Sequence, residues 1–191
     1  MSDISPWLRR WPQALRPGAT ALDLACGSGR HLRHLLEQGL RVTGVDRDAA
    51  ALAPLRALPG AEIIEADIES GPWPLAGRQF DLVLVTNYLW RPLLPAIVAA
   101  VAPGGWLLYE TFASGQERIG RPARPEFLLQ PGELLAACQA LRIVGYEDGF
   151  EKGGGGGGGG LNGVNPRHVQ RVAAVRERQD GVYQRYALDG A

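Results

Sequence analysis

From Ala19 onward, short apolar runs alternate with segments whose apolar residues recur at helical spacing, and nothing else in the 191-residue chain constrains its fold as strongly. Parallel strands joined by crossover helices produce this pattern, because a strand covered on both faces reads as a continuous apolar run. A chain of this length that is 46% apolar suits one compact α/β domain.

The first buried strand is expected at 19–25 (ATALDLA), followed by a helix over 29–38 with Leu32, Leu35 and Leu36 on one face and Gly39 as its stop. A second strand at 41–46, a helix over 49–57, and strands at 61–67 and 80–87 continue the alternation. A helix over 93–101, closed by Pro103, Gly104 and Gly105, leads into a fifth strand at 106–112. Segment 113–129 has no periodicity and is rich in Gly, Pro and Arg, so it is expected to be a long loop at the sheet's end, placed to act as a lid.

Beyond a helix starting near Pro131, strands are expected at 141–150 and 168–179 with no helix between them, so the two must pair antiparallel. The expected architecture is a Rossmann-like three-layer sandwich whose seven-stranded, mostly parallel sheet ends in this antiparallel pair. Eight consecutive glycines, Gly153 to Gly160, read as a flexible hairpin tip with no side chains to pack. Residues 1–18 are then an N-terminal segment that can fold over the site, 19–179 the domain, and 180–191 a tail.

Lysine plus arginine and aspartate plus glutamate number 20 each, so no long-range field draws the molecule toward nucleic acid or an anionic membrane. Cys26 and Cys138 and three scattered histidines lack metal-ligand spacing, and no metal is expected. With neither an apolar leader nor a run of ~20 apolar residues, a soluble, cytoplasmic protein is expected. Nothing in the sequence sets the oligomeric state.

The chemistry concentrates in LDLACGSGRH at 22–31, an apolar strand that ends in an acid and passes through Gly27 and Gly29 into a helix. Glycines there let a ligand lie against bare backbone. A dinucleotide fingerprint would place a third glycine where Leu32 stands, which disfavours a pyrophosphate ligand. Asp46, at the end of the second strand, can accept both hydrogen bonds of a ribose diol. Asp67 beside Ile68 offers an acceptor and an apolar face suited to adenine.

Together, LDLACGSGRH, VTGVD, EADI, FDLVLVTNYL and PGGWLLYETF resemble, in order and spacing, the motifs of class I S-adenosylmethionine-dependent methyltransferases. The resemblance runs from about Pro17 to Gln179 and within the superfamily is greatest to small bacterial enzymes, the tellurite-resistance and thiopurine types among them. Ala25 stands at the first glycine position of the usual pattern. The resemblance implies S-adenosylmethionine as cofactor and S-adenosylhomocysteine as product. It sets Asp23, Gly27 and Gly29 by the methionine moiety, Asp46 by the ribose and Asp67 with Ile68 by the adenine. Asn87, Tyr88 and Leu89 fall beside the transferred methyl, and the flanking Ala25, Cys26, Arg47 and Ala66 belong to the same cofactor site.

A sulfonium methyl is already activated, so the acceptor mainly has to be held in line, about 3 to 3.5 Å away, with water excluded. A thiol needs little proton chemistry, whereas a hydroxyl or amine wants a base, for which Tyr88, His31 and Glu110 are candidates. Each also has a plain structural role open to it: His31 at the helix start, Tyr88 under a loop, Glu110 paired with an arginine. Arg91, Arg118, Arg121 and Arg124 are candidates for an anion-binding rim, and Trp7, Trp11 and Trp90 for walls of an acceptor pocket, against the alternatives of solvated surface and core. The expected function is methyl transfer to a small-molecule acceptor. A non-catalytic adenosine-cofactor-binding module and an NAD-dependent oxidoreductase remain as alternatives, and an RNA or protein acceptor is disfavoured by the balanced charge.

Overall fold

In the computed structural model, residues 4–153, 165–180, 182 and 184–188 are described. Seven strands form one sheet in the order β3-β2-β1-β4-β5-β7-β6. They are β1 (Thr20–Leu24), β2 (Arg41–Asp46), β3 (Ala61–Glu65), β4 (Phe80–Thr86), β5 (Val101–Phe112), β6 (Arg142–Glu151) and β7 (Arg167–Val175). The first five run parallel, and β7 inserts antiparallel between β5 and β6. The expected architecture is therefore the observed one, with the antiparallel pair at the C-terminal flank.

Alternation along the central strands feeds two cores. Leu22, Leu24, Val83, Val85, Leu107 and Tyr109 point to one face, where helices α4 (Leu94–Ala99) and α5 (Glu133–Ala137) supply Ile97, Val98 and Leu134. Ala21, Leu82, Leu84, Trp106 and Leu108 point to the other, covered by α1 (Pro6–Arg9), α2 (Arg30–Glu37) and α3 (Ala49–Leu52). Leu32 and Leu35 are fully buried, which contributes about 1.5–3 kcal/mol each.

Leu32 reaches the place where a side chain on Gly44 would stand, 2.6 Å from that position. The close helix–strand approach that a third loop glycine would permit is achieved instead by a glycine on the facing strand. Among the described residues, no helix is long and apolar enough to cross a membrane.

Several boundaries differ from expectation for identifiable reasons. The helix over 49–57 stops at Leu52 and tightens into a 3-10 turn over 53–55, where Pro54 has no N–H to extend the ladder. The helix over 93–101 is shortened to Leu94–Ala99, because Val101 already pairs with Phe80 in the sheet. Strand β5 thus starts five residues before Trp106, interrupted where Pro103 and the two glycines loop out between the Phe80 and Leu82 pairings. Most of the Gly153 to Gly160 run lies outside the described residues.

The N-terminal segment is packed into the sheet. Trp7, Leu8 and Trp11 are buried, and the Trp7 indole N–H donates to the Val172 carbonyl. Trp11 packs so close to β6 that a Cβ on Gly145 would stand 2.5 Å from its ring. Segment 113–129 is likewise tied down. The Gln116 side chain accepts from the His168 N–H and donates to the Arg121 carbonyl, while Ala113 bridges to Leu129.

Candidate cofactor and transfer site

The C-terminal ends of β1 to β4 converge on one cleft lined by Ala25, Asp46, Arg47, Ala66, Asp67, Ile68, Glu69 and Tyr88. Three left-handed residues shape the loop after β1, and one of them, Ala25, lines the cleft. Gly27 and Gly29 adopt left-handed conformations at φ 53° and 76°, and Ala25 does so at φ 53° despite its Cβ. A Cβ at Gly27 would meet nothing within 4 Å, whereas one at Gly29 would stand 2.7 Å from Leu55. Gly27 therefore presents open backbone, and Gly29 is required by packing.

Asp46 holds this loop in place: its Oδ2 accepts from the Gly27 N–H at 2.8 Å and its Oδ1 from the Asp48 N–H at 3.0 Å. Each oxygen retains a second lone pair, enough for a diol. Asp67 caps the turn after β3, taking the Glu69 N–H and the Ser70 hydroxyl, and these hydrogen bonds hold its carboxyl below the usual range. Ile68 is buried beside it.

Asp23 lies beneath the loop, only 1% exposed. Its Oδ2 has no hydrogen-bond partner among the described residues. Burial raises its pKa to about 7, against the opposing effects of the Leu32 N–H and Arg30. Cys26 turns its Sγ toward Gly44 in the core, and burial pushes its thiol up. Leu89 is also core. Asn87, exposed, takes φ 54° and donates its N–H to the Glu110 carbonyl.

The three residues considered as bases are placed differently from one another. Tyr88 enters the cleft, its hydroxyl buried without a hydrogen bond among the described residues. Burial, then the Glu69 and Asp67 carboxylates, hold that phenol protonated. His31 is buried, with Nε2 accepting from the Ser5 N–H at 3.2 Å and Nδ1 facing the Thr86 hydroxyl at 3.2 Å. A backbone N–H only donates, so the ring proton sits on Nδ1 and donates to Thr86. Desolvation lowers the His31 pKa to about 3, with Arg30 and His34 adding to it. Glu110, 2% exposed, takes the Ser5 hydroxyl on Oε1 and pairs through Oε2 with Arg167 and Arg171, each at 3.2 Å.

Three of the four arginines considered for an anion rim face carboxylates. Arg91 pairs with Glu133 and donates to the Glu126 and Leu128 carbonyls, which fastens the 113–129 loop. Arg118 and Arg124 face Glu117 and Glu126, and Arg121 is exposed. Trp7 and Trp11 belong to the core, and Trp90 packs half-buried against it. Glu69, Ser5 and Thr86 are additions to the site. Glu69 was within reach of sequence reasoning as the neighbour of Ile68, whereas no local pattern marks Ser5.

A sequence-family profile described as "Methyltransferase domain" matches residues 21–105, the span that contains this whole cleft. Over this span the chain is similar to methyltransferase domains. The domain is 35% identical over 141 residues to a malonyl-[acyl-carrier protein] O-methyltransferase of Serratia marcescens, covering 66% of this chain and 54% of that protein. It is 36% identical over 104 residues to a ribosomal protein L11 methyltransferase of Burkholderia mallei, covering 52% of this chain and 33% of that protein. The chain thus spans about half the length of the first relative and a third of the second. TehB from Haemophilus influenzae shares the fold with a TM-score of 0.66 at 19% identity, covering 87% of this chain and 60% of TehB.

S-adenosylmethionine is the cofactor that the methyltransferase resemblance implies, and the residues of the cleft fit it. Gly27 presents open backbone to a ligand, and Asp23 keeps a buried oxygen without a partner among the described residues, suited to an ammonium group. Asp46, Asp67 and Ile68 line the same cleft and offer two carboxylates beside an apolar face.

Proposed function

We propose that this domain is an S-adenosylmethionine-dependent methyltransferase acting on a small-molecule acceptor. The observation that carries the reading is the convergence of Asp46, Asp67, Ile68 and Tyr88 on one cleft, with the open backbone of Gly27 hydrogen-bonded to Asp46. When bound, S-adenosylmethionine supplies a methyl group already activated on a sulfonium. Asp46 and Asp67 would hold its adenosine, and Asp23 and the glycine loop its methionine end. Asn87 and Tyr88 would border the acceptor's approach.

The acceptor in this reading is a group that is already nucleophilic, such as a thiolate or a carboxylate. Both His31 nitrogens are engaged, the Glu110 carboxylate is paired with two arginines, and Tyr88 is held as a phenol. We assign His31 and Glu110 to positioning and leave Tyr88 as a hydroxyl that can donate. Acidic and basic residues in equal number, and a strand-end region already crowded by the N-terminal segment and the 113–129 loop, favour a compact acceptor over a polyanion.

Calorimetric titration with S-adenosylmethionine, S-adenosylhomocysteine and NAD tests the cofactor. Saturable binding of the first two alone is expected, and binding of NAD alone would overturn the reading. Transfer of a labelled methyl group is then compared across small thiols and carboxylic acids, acyl-carrier protein, and ribosomal protein and RNA. Label confined to macromolecules would remove the small-molecule acceptor, and binding without transfer to any acceptor would favour a cofactor-binding module.

A further inference from the structure

His31, Thr86, Ser5 and Glu110 come from four separate places in the chain and meet at one point. His31 lies on the first turn of α2, directly after the glycine loop. Thr86 ends β4, one residue before Asn87 with its left-handed backbone. Glu110 lies on β5, where it pairs with Thr86 in the sheet and its carbonyl holds the Asn87 N–H. Ser5 precedes α1 and reaches both sides, its N–H to His31 and its hydroxyl to Glu110 at 2.9 Å. The same hydroxyl accepts from the Trp7 N–H, so it also starts α1, whose Trp7, together with Trp11 beyond it, anchors the segment to the sheet.

We infer that Ser5, His31 and Thr86 form a clasp through which the N-terminal segment holds the end of β4 in register with the glycine loop. His31 is then a positioning residue, acting through Thr86 on Asn87 and Tyr88. The arrangement suits that task better than proton transfer, since one ring nitrogen receives a fixed backbone donor and the other gives its proton to a hydroxyl on the strand to be held. The buried ion pairs of Glu110 with Arg167 and Arg171 brace the fourth corner, and so tie the clasp to the antiparallel flank. The clasp's effect on cofactor affinity rests on the function proposed above; its effect on the backbone of β4 does not.

The test compares wild type with Thr86→Val, which keeps the shape but removes the hydroxyl, and Thr86→Ser, which restores it. Two quantities are read: S-adenosylhomocysteine affinity by calorimetry, and native-state hydrogen exchange of the 87–89 amides without ligand. Thr86→Val is expected to bind about five- to twentyfold more weakly and to exchange faster at 87–89, with both restored by Thr86→Ser. Unchanged exchange at 87–89 in folded Thr86→Val overturns the clasp, whether or not wild type binds the ligand. Absence of binding by wild type overturns the proposed function alone. Should Thr86→Val fail to fold, Ser5→Ala carries the same comparison, with faster exchange at 87–89 again expected and unchanged exchange again decisive.

Discussion

Asp46 Oδ2 accepts a hydrogen bond from the Gly27 N–H at 2.8 Å, so the acid at the end of the second strand fixes the glycine loop that follows the first. Asp46→Ala removes this acceptor and the one used by the Asp48 N–H. A lost hydrogen bond to a charged group costs about 1.5–3 kcal/mol, so S-adenosylhomocysteine affinity should fall roughly 10- to 100-fold in a protein that still folds. Calorimetry beside a thermal melt checks this, and equal affinity in a folded variant would remove Asp46 from the site.

Gly27 and Gly29 should respond differently to the same substitution. Both have positive φ, which costs an L-residue about 1–2 kcal/mol. At Gly29 the new Cβ also meets Leu55 at 2.7 Å, so Gly29→Ala should lower stability by about 2–4 kcal/mol. At Gly27 the Cβ enters open space, so Gly27→Ala should lose little stability beyond the backbone strain while ligand binding falls steeply. Urea unfolding paired with titration separates the two cases.

Ala25 carries the same left-handed strain at φ 53° with a methyl group in place. Ala25→Gly should stabilise the unliganded domain by about 1 kcal/mol, read as a higher urea midpoint with an unchanged slope. A lower midpoint would mean that the methyl makes contacts worth more than the strain.

Asp23 should make stability depend on pH. Its folded pKa of about 7 lies above the ordinary 3.8 because burial penalises the charged form. Between those values the folded state binds more protons than the unfolded one, so this contribution is fully present below about pH 4 and is lost as pH rises through 7. Asp23→Asn should therefore gain on wild type with rising pH, reaching on the order of 4 kcal/mol at pH 8. His31 acts in the opposite sense, since its folded pKa of about 3 lies below the ordinary 6.5 and its contribution is lost as pH falls between the two. His31 is present in both proteins, so the difference between their denaturation curves at pH 4.5, 6 and 8 isolates Asp23. A difference that is flat with pH would mean that Asp23 titrates normally.

Much of the cofactor cleft was legible because its residues follow strands that announce themselves. Gly27, Asp46 and Asp67 each stand just past an apolar run, and a parallel sheet brings such positions to one edge. Boundaries were less legible where the sheet overrode local signals. Val101 looked like the end of a helix but pairs with Phe80, and the glycines after it form a bulge rather than a stop.

For Glu110 the sequence offered pairing with an arginine as one alternative without naming the partner, and the partners of His31 and the rim arginines were not legible, because each is set by residues far away in the chain. Ser5 and Glu110 lie 105 residues apart, and Arg91 and Glu133 lie 42 apart. A side chain's chemistry depends on which lone pairs and protons its neighbours already occupy, and sequence spacing does not report contacts of this range. By itself the sequence determined the strand order's parallel core, the antiparallel flank and the acids at the strand ends, since periodicity and turn residues are local properties. Tertiary structure alone decided that the N-terminal tryptophans are core, that His31 is engaged on both nitrogens and that Asp23 is buried without a full set of partners, because burial and hydrogen-bond saturation exist only once distant segments meet.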